Sequence, residues 1–190
     1  MKRVITNTMV VTPQVEQDLI RNGFIEITDD RISAIGAMDQ LPEYKGDVEI
    51  FNTEGKIAIP GFVCAHNHMY SAVVRSIPYS GFAEEDFSFA SWMERFWFQK
   101  LENKVNNTDV LQGTLINAIE HVKHGFTTTT DTVEGPNALP GPLFAAGKAA
   151  EQSGIRAVLS FESTGRISHE NFELGLAENL DFFKAMKEKG

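Results

Sequence analysis

Two histidines one residue apart, His66 and His68, follow the apolar run Ile59-Pro-Gly-Phe-Val-Cys-Ala65. Imidazole is the commonest side-chain ligand of divalent metals. Residues two apart on a strand share a face, so the spacing predicts that both rings project together while Asn67 points away. At the C-terminal end of a strand in a parallel α/β fold, where chemistry is placed, such a pair can hold one ion at about 2.0–2.1 Å per Zn–N bond. The same spacing also suits two histidines that only hydrogen-bond in a polar pocket, and a catalytic zinc takes three protein ligands beside an open position. Tyr70 and Arg75 come next and would wall such a pocket, although Arg75 could equally pair with a structural carboxylate. Asp131 and Glu162 fall at the ends of two later β-like runs, where a carboxylate can orient a metal-binding imidazole or touch a substrate. An ordinary loop carboxylate is the alternative for both, and the favoured one for Asp131.

The elements that must position these residues change character along the chain. Residues 1–57 contain short β-like runs (Arg3 to Val11, Gly23 to Thr28, Arg31 to Ile35, Val48 to Asn52) separated by turn signals such as Asp29-Asp30 and Lys45-Gly46-Asp47. They predict a small antiparallel sheet. Residues 58–190 read as three βα units. The histidine-bearing strand is followed by a helix capped by Thr108, with Val110, Leu111, Leu115, Ile119 and Val122 on one face and Gly125 ending it. A strand from Phe126 to Thr130, a helix from Pro142 to Ser153, a strand from Ile155 to Phe161 and a helix from about Glu170 to Lys189 complete the pattern. Alternation of this kind means a parallel sheet with crossover helices. The aromatic segment 91–98 reads as a packed helix, or as a lid over the pocket. His121 and His124 are expected to serve the helix C-terminus or face solvent, and His169 to lie in a surface loop.

Composition narrows the function classes. The chain has 190 residues, 42% hydrophobic, with 17 basic against 26 acidic side chains and a net charge of −9. An acidic chain without a Lys/Arg cluster argues against nucleic acid or an anionic membrane as partner. The single cysteine, Cys64, excludes an intrachain disulfide and reads as a buried inert thiol. No apolar stretch approaches a membrane span and no signal peptide opens the chain, so a cytoplasmic protein is expected.

The stretch Gly55-Lys-Ile-Ala-Ile-Pro-Gly-Phe-Val-Cys-Ala-His66-Asn-His68 resembles the signature of the amidohydrolase superfamily. Its continuation through Tyr70, Ser71, Arg75 and Pro78 is similar to the branch holding cytosine deaminase-like, guanine deaminase-like and chlorohydrolase-like enzymes. Phe161-Glu-Ser-Thr-Gly-Arg166 and Glu178-Asn-Leu-Asp-Phe182 resemble segments of the SsnA-type aminohydrolases, with Gly165 standing where those proteins carry Asp. The resemblance implies a small β-sandwich segment (1–57) before the first three βα units (58–190) of a metal-dependent (β/α)8 barrel, incomplete in this chain. It implies His66 and His68 as ligands of one divalent ion, zinc or iron with manganese as a further candidate. It places the other ligands (two His and an Asp) and a proton-carrying Glu on later barrel strands, beyond Gly190. Tyr70, Arg75 and Glu162 are the candidate substrate contacts, and the substrate is a small molecule. The implied activity is hydrolysis of C–N bonds other than peptide bonds, by deamination of an aminated heterocycle, in a homo-oligomeric parent of which this chain is an inactive N-terminal part. Cyclic-amide hydrolysis of the dihydropyrimidinase type, with a second metal, is the alternative; a non-catalytic truncated product is another.

Overall fold

The computed structural model describes residues 1–13, 19–78 and 87–189. They form two compact units, Met1–Pro60 and Gly61–Gly190.

Alternation decides the first unit. In Lys2–Val11 (β1), Val4, Thr6, Thr8 and Val10 are buried and their neighbours are not, the period of a strand with one covered face. Leu19–Thr28 (β2) runs antiparallel to β1, starting four residues earlier than the sequence suggested, and pairs with Arg31–Ala37 (β3). Val48–Asn52 (β4) and Ile57–Ala58 (β5) instead lie parallel to β1. The sheet is therefore mixed, in order β3-β2-β1-β4, and not antiparallel throughout. Residues 38–47 cause this. They carry the chain from the Ala37 end of the sheet back to the Lys2 end, so β4 enters beside β1 in the same direction.

In the second unit Phe62–Cys64 (β6), Phe126–Val133 (β7) and Arg156–Phe161 (β8) form a parallel sheet in that order. Parallel neighbours need crossovers. Between β6 and β7 come a 3-10 segment Met69–Val74, a single turn Phe89–Trp92 (α1), a π-helical stretch Met93–Glu102 and the helix Asn107–Lys123 (α2). Pro142–Ser153 (α3) joins β7 to β8, and His169–Lys189 (α4) follows β8, so His169 opens a helix instead of sitting in a loop. The three βα units expected from the sequence are present. No helix among the described residues is long and apolar enough to cross a membrane.

The start and the buried face of α2 both differ from the sequence reading. Asn106, not Thr108, is its cap: the side chain accepts from the N–H groups of Thr108 and Asp109 at 2.8 and 3.2 Å, and Asp109 accepts from Asn106 N–H at 3.1 Å. The buried stripe is Val110, Gly113, Thr114, Asn117 and Ala118, while Ile119 and Val122 are nearly half exposed. Gly113 accounts for the rotation. A Cβ there would stand 2.3 Å from the Tyr70 carbonyl oxygen, so α2 presents its small residues to the backbone of the 3-10 segment.

The α3 helix has no capping side chain of its own. Glu178 from α4 accepts the N–H groups of Gly141 and Leu143, both at 2.9 Å, and so satisfies two orphan donors at the positive end of the dipole. Its neighbour Asn179 bonds both the N–H and the carbonyl of Phe161 at 2.9 Å, tying α4 to the end of β8. The core beneath the sheet centres on Tyr70, Leu101, Val110, Val133, Leu143 and Phe182.

Candidate metal centre

The strand that leads to the histidines ends at Cys64, so His66 and His68 lie in the loop just past it rather than on the strand. That loop is held by β7. Thr132 N–H donates to the Asn67 carbonyl at 3.1 Å, Thr130 Oγ1 to the Cys64 carbonyl at 3.4 Å, and Asp131 Oδ1 accepts Met69 N–H at 2.6 Å. The Cys64 thiol, only partly buried, donates to the His66 carbonyl at 3.2 Å. Asn67 points away from the pair, as expected. Its amide reaches Asn117 Oδ1 at 3.1 Å and His121 Nε2 at 3.3 Å on α2. His121 is thus a partner of this loop rather than a solvent-facing residue.

The rings of His66 and His68 stand 4.9 Å apart, centre to centre, at 84°. Two imidazoles on one tetrahedral ion with Zn–N bonds of about 2.0–2.1 Å have ring centres roughly 5 Å apart, so the pair fits a shared divalent cation. His68 Nδ1 lies 3.1 Å from the Thr132 carbonyl and 3.3 Å from Glu134 Oε1. Both are acceptors. In the neutral ring this assigns the proton to Nδ1 and leaves the Nε2 lone pair for a ligand bond. Among the described residues no group of three His, Cys, Asp or Glu side chains converges on one point; the pair offers two candidate ligands.

Three further carboxylates gather behind His68. Glu134, directly after β7, accepts from Tyr70 Oη and Trp97 Nε1, each at 3.0 Å, on Oε2. Burial pushes its carboxyl up, but hydrogen bonds with Glu102, Trp97 and Glu162 and the charge of His68 pull it below the ordinary value. Glu102, at the end of the π-helical stretch, goes the other way. Burial, then the hydrogen bond and charge of Glu134, hold it well up, at about 8, against the opposing pull of Arg166. At neutral pH Glu102 thus keeps its proton while Glu134 is ionised. Arg166 Nη2 meets Glu102 Oε2 at 2.5 Å and Nη1 meets Asn103 Oδ1 at 2.9 Å, with the guanidinium 3.9 Å over the Phe98 ring.

The candidates named from the sequence fare differently. Tyr70 is fully buried in the core with its hydroxyl on Glu134, so it offers no surface to a substrate; burial and Glu134 raise its phenol far above the usual range. Arg75 is exposed at the end of the 3-10 segment. Glu162 follows β8 directly, its N–H on the Val133 carbonyl at 2.9 Å, its carboxyl raised by burial and then by Glu134. Asp131 is no loop carboxylate: it lies on the buried face of β7, pushed up to about 6 by burial despite the Met69 N–H. Glu134 and Glu102 were not singled out by the sequence; Trp97 entered only as part of the aromatic segment 91–98 and Arg166 only as the end of the segment 161–166. Glu134 stands at the end of a strand as Glu162 does, and that position was the available signal.

A sequence model described as the amidohydrolase family matches residues 57–190. A 5-methylthioadenosine/S-adenosylhomocysteine deaminase of Halothermothrix orenii is 32% identical over 185 residues, covering 96% of this chain and 39% of that protein. The chain thus spans well under half the length of this curated relative. A guanine deaminase of C. acetobutylicum, solved with guanine in its active site, is similar with a TM-score of 0.73 at 18% identity, covering 100% of this chain and 44% of its own. The zinc complex of the atrazine chlorohydrolase TrzN of Arthrobacter aurescens gives 0.72 at 22% identity, covering 88% and 37%. At these identities the structural likeness is one of fold.

Proposed function

The chain belongs to the amidohydrolase family, and from that premise we propose that the intact protein is a metal-dependent hydrolase of non-peptide C–N bonds that deaminates an aminated nitrogen heterocycle. The observation that carries the reading is the pairing of His66 and His68 with the His68 Nδ1 proton already engaged, which leaves Nε2 free to bind a divalent ion. Two neutral imidazoles suit zinc or iron, with manganese a third candidate, better than magnesium or calcium, which prefer oxygen ligands. When bound, the ion supplies Lewis acidity and lowers the pKa of water at the site toward about 7. The loop residues keep the two donors in place: Asn67 anchors on α2, Asp131 on the Met69 backbone. Glu162 and Arg75, neither fully buried, are proposed to reach the substrate.

An exocyclic amine on a purine is the favoured substrate group. The Halothermothrix relative is named for adenosine-type compounds, and the similar guanine deaminase holds guanine. Metal analysis of the intact protein beside a His66→Ala/His68→Ala variant tests the ligands, and ammonia release from a panel of aminopurines and aminopyrimidines tests the reaction. The double variant should lose its metal and all deamination. Unchanged metal content in it removes the ligand assignment, and a metal-loaded wild type that releases no ammonia from any member of the panel removes the deaminase reading.

A further inference from the structure

We infer that Glu134 is a positioning residue for His68, its one carboxylate lying against the ring at Nδ1 and tying it to the aromatic walls that orient it; the inference rests on the reading of His66 and His68 as metal ligands. Three donors from two stretches of chain, the histidine loop and the π-helical stretch, meet this carboxylate. His68 Nδ1 faces Oε1 at 3.3 Å, and the Tyr70 hydroxyl and Trp97 indole N–H share Oε2 at 3.0 Å each. The same two aromatic rings flank the imidazole edge to face, 6.4 Å from it for Tyr70 and 6.3 Å for Trp97. Glu134 therefore holds the ring through Nδ1 and holds the walls of its cage through their polar tips. The Thr132 carbonyl takes the Nδ1 proton at 3.1 Å, and Glu134, 3.3 Å from the same nitrogen, is the group that joins the ring to both walls. Only a carboxylate accepts from all three. An amide at this position must turn its NH2 either on the His68 N–H or on the indole N–H, and the indole can only donate. A hydrogen-bonded carboxylate behind a ligating histidine also raises the basicity of the opposite nitrogen, and losing such a partner costs about 10- to 100-fold in metal affinity.

The test is zinc affinity of the intact protein by competition with a chromophoric chelator, with the visible spectrum of the cobalt-substituted protein as a second readout. Glu134→Gln should weaken zinc about 10- to 100-fold and shift the cobalt bands. Trp97→Phe, which keeps the ring and drops the N–H, should weaken it less, and Glu170→Gln, which removes the same charge from an exposed carboxylate at the start of α4, should leave it within about twofold of wild type, well inside the effect of losing a direct partner. The Trp97 variant carries the test if Glu134→Gln does not fold. Wild-type affinity and spectrum in Glu134→Gln overturn the inference, as does an equal loss in Glu170→Gln, which would make the effect one of general negative charge. If His66→Ala/His68→Ala keeps its zinc, the ligand reading itself has failed; if that variant loses zinc while Glu134→Gln binds it as wild type does, the positioning role alone has failed.

Discussion

Each unit of the molecule buries carboxylates, and it treats them in opposite ways. In the N-terminal sheet Glu26 receives Lys2 Nζ at 2.9 Å and Ser33 Oγ at 2.7 Å, and these bonds, Lys2 first, lower its pKa. In the βα unit Glu102, Glu134 and Glu162 face one another with the Arg166 guanidinium against Glu102, and two of the three are raised. Glu178 shows that the difference does not belong to the fold unit, since it is as buried as Glu26 and is satisfied by two backbone N–H groups. What separates the groups is place. The crowded three stand at the ends of parallel strands or against them, next to the histidine loop, where like charges are kept together at a cost in stability. Such crowding beside the histidine loop accords with the metal centre proposed there.

The comparison breaks most readily at Arg166. Arg166→Met removes the guanidinium paired with Glu102, which is 4% exposed. Removing one partner of a buried pair costs about 3 kcal/mol or more, and the quarter of the Arg166 side chain that is exposed argues for the lower end. Urea unfolding of the chain at pH 9, where Glu102 is ionised in the wild type, measures it; a change under half that size would mean the carboxylates shed their charge without help. Glu178→Ala comes next. It strands the N–H groups of Gly141 and Leu143, with an expected loss of about 2 kcal/mol, read in the same titration. No loss would mean that water replaces the carboxylate there.

The third test is the pH profile of the crowded group. Glu102 has a folded pKa of about 8 against an unfolded value of 4.5. Between those pH values the unfolded chain has released the proton and the folded chain has kept it, so stability falls as pH rises through that window. Each unit of pKa difference is worth about 1.4 kcal/mol. Glu102→Gln mimics the protonated acid and should flatten the decline, leaving the variant at least as stable as wild type at pH 8. Both tryptophans, Trp92 and Trp97, lie in the second unit, so their fluorescence follows this unfolding selectively. A wild-type slope in Glu102→Gln assigns the proton elsewhere.

Legibility from sequence followed the range of the interactions. The histidine pair, the change of rhythm after residue 57 and the three βα units are carried by neighbouring residues, through spacing and capping, and could be read. The parallel pairing of β4 with β1 could not, because it depends on where residues 38–47 deliver the chain. The inward face of α2 was misjudged because bulky Ile119 and Val122 share a helical stripe, while the decisive contact is made by a residue with no side chain, Gly113 on the Tyr70 backbone. Glu134 escaped for a similar reason: Tyr70, Trp97, Glu102 and Glu162 come to it from distant parts of the chain. A glutamate before Gly135-Pro136 looks like an ordinary turn residue until those partners are in place.

The smallest expected effect is at the satisfied carboxylate. The Lys2 side chain is 37% exposed and its ion pair with Glu26 is partly open to solvent, so Lys2→Met should cost far less than Arg166→Met, and Ser33 still bonds the carboxylate. The sign of the pH dependence is opposite to that of Glu102. Because the folded pKa of Glu26 is lowered, its contribution is fully present above the unfolded value of 4.5 and is lost as pH falls through the folded value. Lys2→Met should therefore shrink the acid-side loss of the first unit, seen in far-ultraviolet circular dichroism, and leave the tryptophan-reported profile of the second unit where it was. If Lys2→Met proved as damaging as Arg166→Met, Glu26 would be as dependent on its single cation as the crowded carboxylates are on theirs, and the contrast between a satisfied carboxylate and a crowded one would reduce to a difference in burial.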